Sequence, residues 1–532
     1  MRAGARIAAL CAGLWLALLV CSLLARPLLP IDETRYAAVA WEMWLRGDWL
    51  VPHLNGQPYS HKPPLLFWLI QLAWSVGGVR DWAARSVPPL FALLNLFLAA
   101  ALARRLWPER PAVAARVPLL LLGTTFWALF GTLLMFDMLV ASFTLLGLLG
   151  LTDLARRGGR RGWGLFALAI GGGVLAKGPV ILLYLLPTTL LAPWWLEARQ
   201  RPPRWRDWYG GLAAAVALGA ALALAWALPA AWWGGAEYRQ SIFWGQTSGR
   251  MVESFAHARP WWWYLPLLPL LLLPWTLWPP LWRGLRMLRL EPGVRFCLAG
   301  VLPGLLAFSL ISGKQVHYLI PLFPALALLA ARTLEDAPGR RRDLWPAAAL
   351  LGAFGLLLAA LPLPVLWHRL PDWIESVSPL WGLGLLALAA LLVWRGPLEV
   401  GRQALVLLLT TVTVLLVVHL GILRPAHAYY DVAPMSERLA ALQEQGVPVA
   451  HLGNYHGQFQ LSGRLIRPLT ELEHPQLADW LARHADGKVL LYARHMTPQL
   501  QARAELWQPY RGRYLLLLPA AALSADPGLV PP

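Results

Sequence analysis

The sequence predicts a polytopic α-helical membrane protein that carries a small α/β domain near its C-terminal end. Three observations lead there. Runs such as 7–25, 212–228 and 404–418 contain no charged residue, and about 20 consecutive apolar residues cross the hydrocarbon core of a bilayer. Only 14% of the 532 residues are charged and 58% are hydrophobic, whereas soluble proteins carry roughly 25% charge. The runs are continuous rather than alternating, so they read as helices and not as barrel strands.

The net charge of +18 does not point to nucleic acid. The arginines lie in short loops between apolar runs, where a positive-inside bias places them. Cys11, Cys21 and Cys297 lie in or beside apolar runs, so neither a disulfide frame nor a metal cluster follows from them. Arg2 and Arg6 precede the first run, which reads as an uncleaved span rather than a signal peptide, because no small-x-small cleavage motif is suitably placed.

The apolar runs are 7–25, 87–103, 113–133, 136–152, 163–176, 179–196, 211–230, 262–282, 296–312, 316–333, 345–363, 380–394 and 403–422, about thirteen spans in all. Every even-numbered exit is rich in arginine: Arg104-Arg105, then Arg156 to Arg161, Arg199 to Arg206, Arg283 to Arg289, Arg332 to Arg342, and Arg395 with Arg402. Those loops are expected to be cytoplasmic, with the N-terminus inside and the C-terminus outside.

The first odd-numbered loop, 26–86, is itself partly apolar. Asp32 is a candidate cap for a helix running to about Leu45, with Glu33 in its first turn. Trp41 and Trp44 suit a membrane interface, and Arg46-Gly47-Asp48 ends the helix. Residues 63–76 are apolar but too short to span, which fits an interfacial or re-entrant helix with Pro63 and Pro64 in its first turn. The expected division is a membrane domain over 1–423, which includes the 26–86 loop, and an α/β domain over 424–532. In the latter, helices are expected at 434–446 and 475–484, with strands at 447–452, 488–492 and 514–518.

The odd-numbered exits hold the unusual residues: Asp32, Glu33, Arg35, Tyr36, Tyr59, His61, Lys62, Asp137, Lys177, Arg250, Lys314 and Tyr318. Ionisable residues at membrane depth are costly and are candidates for function. Lys62 sits immediately before a proline-started helix, and Lys177-Gly178-Pro179 repeats the arrangement. Backbone N–H groups at such a start attract anions, and a lysine adds a full charge. A lipid phosphate could be held by these lysines with Arg35, Arg250 and Lys314, and Tyr318 could donate a hydrogen bond. Singly, each cation reads equally well as a snorkelling side chain at a helix end.

Asp32 and Asp137 are candidate general bases for transfer to a hydroxyl or amine. Each could instead be a helix cap. His53, His61, His257 and His317 share the same side but match no metal spacing, so no metal is assigned. A transporter or flippase of a lipid-linked phosphate would use the same cations. It predicts mid-span charges and inverted repeats, whereas the charges here cluster at one set of span ends. A lipid phosphotransferase is a further alternative.

Asp32-Glu33-Thr34-Arg35-Tyr36, Gly47-Asp48-Trp49, the stretch from Pro58 to Pro64, Lys177-Gly178-Pro179 and Gly313-Lys314 with His317-Tyr318 and Pro321 together carry a resemblance. Over most of 1–335 the chain resembles the bacterial aminoarabinose (lipid A) transferases and the related protein O-mannosyltransferases. These are polyprenyl-phosphate-sugar glycosyltransferases of the GT-C fold.

The resemblance implies an inner-membrane enzyme active on the periplasmic face. It would move a sugar, with inversion, from undecaprenyl phosphate to lipid A, another glycan or a protein. By position it implies Asp32 as the catalytic acid residue, Asp137 as a second acid near the site, and Arg35, Lys62, Arg250 and Tyr318 on the lipid phosphate. One departure matters. The family carries Glu before the lysine matching Lys62, and here that residue is His61. In the aminoarabinose enzymes that glutamate is associated with a bound metal. No cofactor is therefore assigned, a divalent metal stays an open alternative, and the identity of the sugar stays open with it.

Overall fold

The computed structural model describes residues 2–200, 202, 204–243, 258–363 and 371–530. The candidate Arg250, with Glu253 and His257, lies outside the described residues. The chain is a multi-pass helical membrane protein. Among the described residues eight helices are long and apolar enough to cross a bilayer, and a bent pair makes a ninth.

The part that builds the site begins with α1 (Arg2–Ala25), α2 (Asp32–Arg46), the two-stranded hairpin β1 (His53–Leu54) and β2 (Gln57–Pro58), and α3 (Leu65–Gly77). It continues through α4 (Asp81–Leu106), α5 (Pro111–Leu122), α6 (Thr125–Gly131), α7 (Asp137–Arg157) and α8 (Arg161–Lys177). The run 113–133, expected as one span, is the bent pair: α5 and α6 meet at 67° across Gly123 and Thr124. The run 262–282 is also broken, into Tyr264–Leu271, Trp275–Leu277 and Pro279–Met287. Pro274 and the pair Pro279–Pro280, which lack backbone donors, stand at the two breaks, while Pro266 and Pro269 lie within the first piece.

α7 packs on α8 and α4, and α8 also packs on the helix Trp205–Trp233. Small residues permit this closeness. A Cβ on Gly150 would lie 2.7 Å from the carbonyl oxygen of Gly162, and one on Gly162 2.6 Å from that of Gly150. The two backbones therefore touch, which is how helices associate where lipid removes the hydrophobic drive.

α2 ends at Gly47, whose left-handed φ of 63° lets its N–H reach the carbonyls of the last turn. The hairpin turns on Asn55 and Gly56, both at positive φ, the requirement of a two-residue primed turn. Glu42 holds that turn: its carboxylate accepts from the backbone N–H groups of Asn55 and Gly56. Burial pushes the Glu42 carboxyl upward despite those bonds.

The α/β domain holds a five-stranded sheet: β3 (Val449–Leu452), β4 (Thr470–Leu472), β5 (Lys488–Ala493), β6 (Leu506–Tyr510) and β7 (Arg513–Pro519), ordered β4-β3-β5-β7-β6. β3 runs parallel to β4 and β5, and β7 runs antiparallel to β5 and β6. Leu515 and Leu517 join one apolar cluster, Leu516 and Leu518 the other, as the period of two in a strand requires. The helices Ala433–Glu444 and Leu477–Arg483 lie close to their expected positions. β4 and β6 are additional to the expected strands.

This domain rests on α2 and its hairpin. Trp41 Nε1 donates to Leu465 O at 2.9 Å, Gln460 Nε2 to Glu42 Oε1 at 3.2 Å, and Asn55 Nδ2 to Leu469 O at 3.1 Å. Trp41, expected at a membrane interface, is instead 7% exposed, beneath this domain. Its amphipathic ring meets a protein partner rather than headgroups.

Candidate active site at the starts of helices α2 and α7

Asp32 and Glu33 are adjacent, but the 100° turn per residue of a helix sends them different ways. Glu33 points inward and is 3% exposed. Its carboxylate pairs with Arg26, at 2.5 and 3.1 Å, and accepts from the backbone N–H groups of Leu29 and Leu134, each at 2.7 Å. Arg85 closes the end of α1 by donating to Ser22 O and Arg26 O, each at 2.8 Å. Burial opposes ionisation of Glu33, but the charges of Arg26 and Arg85 outweigh it and hold the carboxyl below its usual range. Glu33 thus fastens the start of α2 to α1 and to the turn before α7. It is a structural anchor within the candidate set, not a free acid.

Asp32 is the first residue of α2, and its side chain is 53% exposed. It does not cap the helix. Ile31 occupies that position without a side-chain bond. Asp32 Oδ1 instead accepts from Arg35 Nη2 at 2.9 Å and from the Tyr36 hydroxyl at 3.5 Å. Burial, followed by the Asp32 charge, raises the Tyr36 hydroxyl well above its ordinary range, so it remains a donor.

Phe136 is the packing centre of this cluster. The Tyr36 ring meets it edge-on at 4.8 Å and the Phe67 ring at 5.8 Å, and the Lys62 ammonium lies 5.9 Å from its centroid. Tyr59 packs against Phe67 at 6.4 Å and against the exposed His61 at 5.1 Å. The next residue after Phe136 is Asp137, which opens α7 and is 1% exposed. Lys177, the last residue of α8, donates to Asp137 Oδ1 at 2.5 Å and lies 4.9 Å from the Tyr318 ring centroid. Asp137 Oδ2 accepts no hydrogen bond among the described residues. A buried acceptor in that state costs about 1–3 kcal/mol.

His317 closes the other side. It stacks on Phe130 at 5.3 Å and meets Tyr318 edge-on at 4.9 Å. The charges of Asp137, Lys177, Lys62 and Asp32 all act on it. A cavity of about 240 Å³ opens here, lined by Ile31, Asp32, Glu33, Phe130, Met135 and His317.

The structure therefore brings together Asp32, Arg35, Tyr36, Tyr59, His61, Lys62, Asp137, Lys177 and Tyr318. Lys314 stands apart from the pocket's chemistry. It is 3% exposed and donates to Arg259 O at 2.8 Å and Ile311 O at 2.5 Å, so its donors are engaged by carbonyls rather than a phosphate. Phe136, Phe130, Arg26 and Arg85 were not singled out from sequence. An aromatic residue or arginine flanking an apolar run gives no local sign of its partner.

Among the described residues no group of three or more His, Cys, Asp or Glu side chains is placed to hold a metal, and Asp137 is already paired with Lys177.

Asp137 and Lys177 share a buried ion pair, so their effects should not add. In a double-mutant cycle on thermal unfolding, Asp137→Asn and Lys177→Met should couple by about 0.5–3 kcal/mol. Additive effects would mean the pair is not formed.

Residues 61–233 match the family described as dolichyl-phosphate-mannose-protein mannosyltransferase. The undecaprenyl phosphate-α-4-amino-4-deoxy-L-arabinose arabinosyl transferase of Pseudomonas paraeruginosa is 35% identical over 387 residues, which cover 69% of this chain and 68% of that protein. The enzyme of the same name from Edwardsiella ictaluri is 32% identical over 366 residues, 66% of this chain and 63% of that protein. Among solved structures, ArnT from Cupriavidus metallidurans bound to undecaprenyl phosphate superposes with a TM-score of 0.74 at 21% identity, over 98% of this chain and 99% of that one. That likeness concerns the fold.

Proposed function

The chain belongs to the family of undecaprenyl phosphate-aminoarabinose arabinosyl transferases, and on that premise we propose that it transfers a sugar from a polyprenyl phosphate to an envelope acceptor such as lipid A, with inversion. The observation that carries this reading is a cluster at the starts of α2 and α7: a half-exposed carboxylate, Asp32, beside a cavity, with Lys62 against Phe136 and the Asp137–Lys177 pair next to it in the chain, all four charges acting on His317. The relatives' names make 4-amino-4-deoxyarabinose the first sugar to test.

In this reading Asp32 accepts the proton of the acceptor hydroxyl. The acceptor oxygen bonds to the anomeric carbon while that carbon's bond to the phosphate oxygen breaks. The electron pair leaves with the polyprenyl phosphate, whose charge Lys62, Arg35 and Tyr318 stabilise as it develops. Arg250 joins them by the resemblance alone. Asp137 Oδ2 orients a sugar hydroxyl, and Lys177 keeps Asp137 charged and in place.

The proposed layout has thirteen crossings, in which the shorter or broken helices also span. The N-terminus is cytoplasmic, and the 424–532 domain lies in the periplasm. An impermeant thiol reagent should label Arg494→Cys from outside and Arg160→Cys only after lysis. The opposite pattern would reverse the orientation.

Mass spectrometry of envelope lipids from cells with and without the gene tests the function. A sugar-sized mass addition on lipid A should vanish with the gene. An unchanged envelope glycolipid profile would remove lipid A as acceptor.

A further inference from the structure

The α/β domain contacts the site as well as covering α2. β3 has parallel neighbours on both sides, so the chain leaves its carboxyl end towards β4 and later returns on the side of β5. Crevices at the carboxyl ends of strands where the order reverses are where such sheets bind ligands. Here that end faces α2. The loop following β3 passes so close that a Cβ on Gly457 would lie 3.0 Å from the Ala38 side chain and 2.5 Å from that of Leu54. Ala38 is one helical turn from Arg35.

The residue before Gly457 is His456, which is half-buried. The charges of Arg35, Asp32, Glu471 and Arg511 all act on it. The loop is braced from within. His456 N donates to Gln458 Oε1 at 3.1 Å, Gln458 Nε2 to the Tyr492 hydroxyl at 2.6 Å, and Tyr492 meets His451 Nε2 at 3.3 Å. Arg511, in the β6–β7 turn at the same end of the sheet, is exposed, and its backbone N–H donates to Tyr429 O at 3.0 Å. Arg513 lies two residues on. The loop that carries the His456 imidazole thus lies against α2 one turn from Arg35, and the Arg511 guanidinium and the Asp32 carboxylate both act on that imidazole. Guanidinium groups suit phosphate, which they can bind through two hydrogen bonds.

We propose that His456 and Arg511 form the acceptor subsite, gripping the phosphorylated headgroup of a glycolipid so that its hydroxyl meets Asp32. This rests on the transferase reading above. His456 supplies a hydrogen bond and Arg511 a charge. The α/β domain would then select the acceptor, while the membrane domain holds the donor.

The test uses the full chain in nanodiscs, with diphosphorylated lipid A, its dephosphorylated form and undecaprenyl phosphate as separate ligands. His456→Ala and Arg511→Asn should each weaken binding of diphosphorylated lipid A about tenfold and leave undecaprenyl phosphate binding unchanged. Asn tolerates the positive φ at 511. Removing the lipid A phosphates should abolish the Arg511 effect. His456→Gln and Arg511→Lys should restore most of the affinity, which separates contact from misfolding. Equal lipid A affinity in wild type and variants, or losses that extend to undecaprenyl phosphate, would overturn the subsite. Wild-type protein that binds lipid A in this manner but not undecaprenyl phosphate would keep the subsite and sink the transferase reading.

Discussion

Asp32→Asn should leave the protein folded and inserted while sugar transfer falls by about 10²–10⁴-fold, the usual worth of a positioned general base. The stability side follows from exposure. The Asp32 side chain is 53% exposed and pairs with an arginine one turn away, and such pairs are worth roughly 0–1 kcal/mol. Asparagine keeps the shape and can still accept from Arg35 and Tyr36. What it loses is the capacity to take a proton from the acceptor. Donor binding, which the proposal gives to Lys62 and its neighbours, should change little. Turnover in reconstituted vesicles beside a thermal melt in detergent separates the two quantities. Wild-type turnover in the variant would remove Asp32 from the mechanism.

Glu33→Gln, one residue away, should do the reverse. It leaves Arg26 buried without a counter-charge and weakens the bonds to Leu29 and Leu134. Breaking a buried pair from one side costs about 3–5 kcal/mol, a large share of any domain's stability. The melting temperature should drop sharply, and activity should follow the folded fraction. The pH dependence has a definite sign. The folded carboxyl titrates below its unfolded value of about 4.3. Its contribution is therefore present above that value and disappears as pH falls through the folded one. Melts at successively lower pH, starting from about 5, should show wild type losing stability once the pH is below about 4.3 and Glu33→Gln flatter over the same range. A variant as stable as wild type would show that Glu33 is not the anchor described here.

These neighbours show how far the sequence could be read. The motif at 32–36 was legible as a candidate site, because acid and base types sit at one end of a span-adjacent helix. Which acid is exposed and which is buried in an ion pair was not legible, because that depends on the rotation of α2 about its axis. Arg26, Arg85 and the turn before α7 set that rotation. Lys314 looked like Lys62 in type and setting, yet its partners are backbone carbonyls, which leave no trace in side-chain chemistry. Of the thirteen apolar runs, eight coincide with helices long enough to cross a bilayer among the described residues, and a ninth is a bent pair. Proline and glycine then broke some of them, at 262–282 and at Gly123, with consequences for length that hydropathy alone averages away.

The α/β domain shows the same limit. β3, β5 and β7 were readable from their apolar β-branched and leucine runs. β4, with two exposed residues of three, and β6, with Pro509 inside it, carry too little pattern. Trp41 is the sharpest case. Its partner Leu465 is 424 residues away, so no local periodicity could distinguish an interface belt from a domain contact.

The most direct measurement places purified protein in vesicles with a radiolabelled polyprenyl-phosphate sugar and lipid A. The account predicts label on lipid A, matched by release of free polyprenyl phosphate and dependent on Asp32. Label that stays on the polyprenyl phosphate, whether in place or moved to the opposite leaflet, would contradict it.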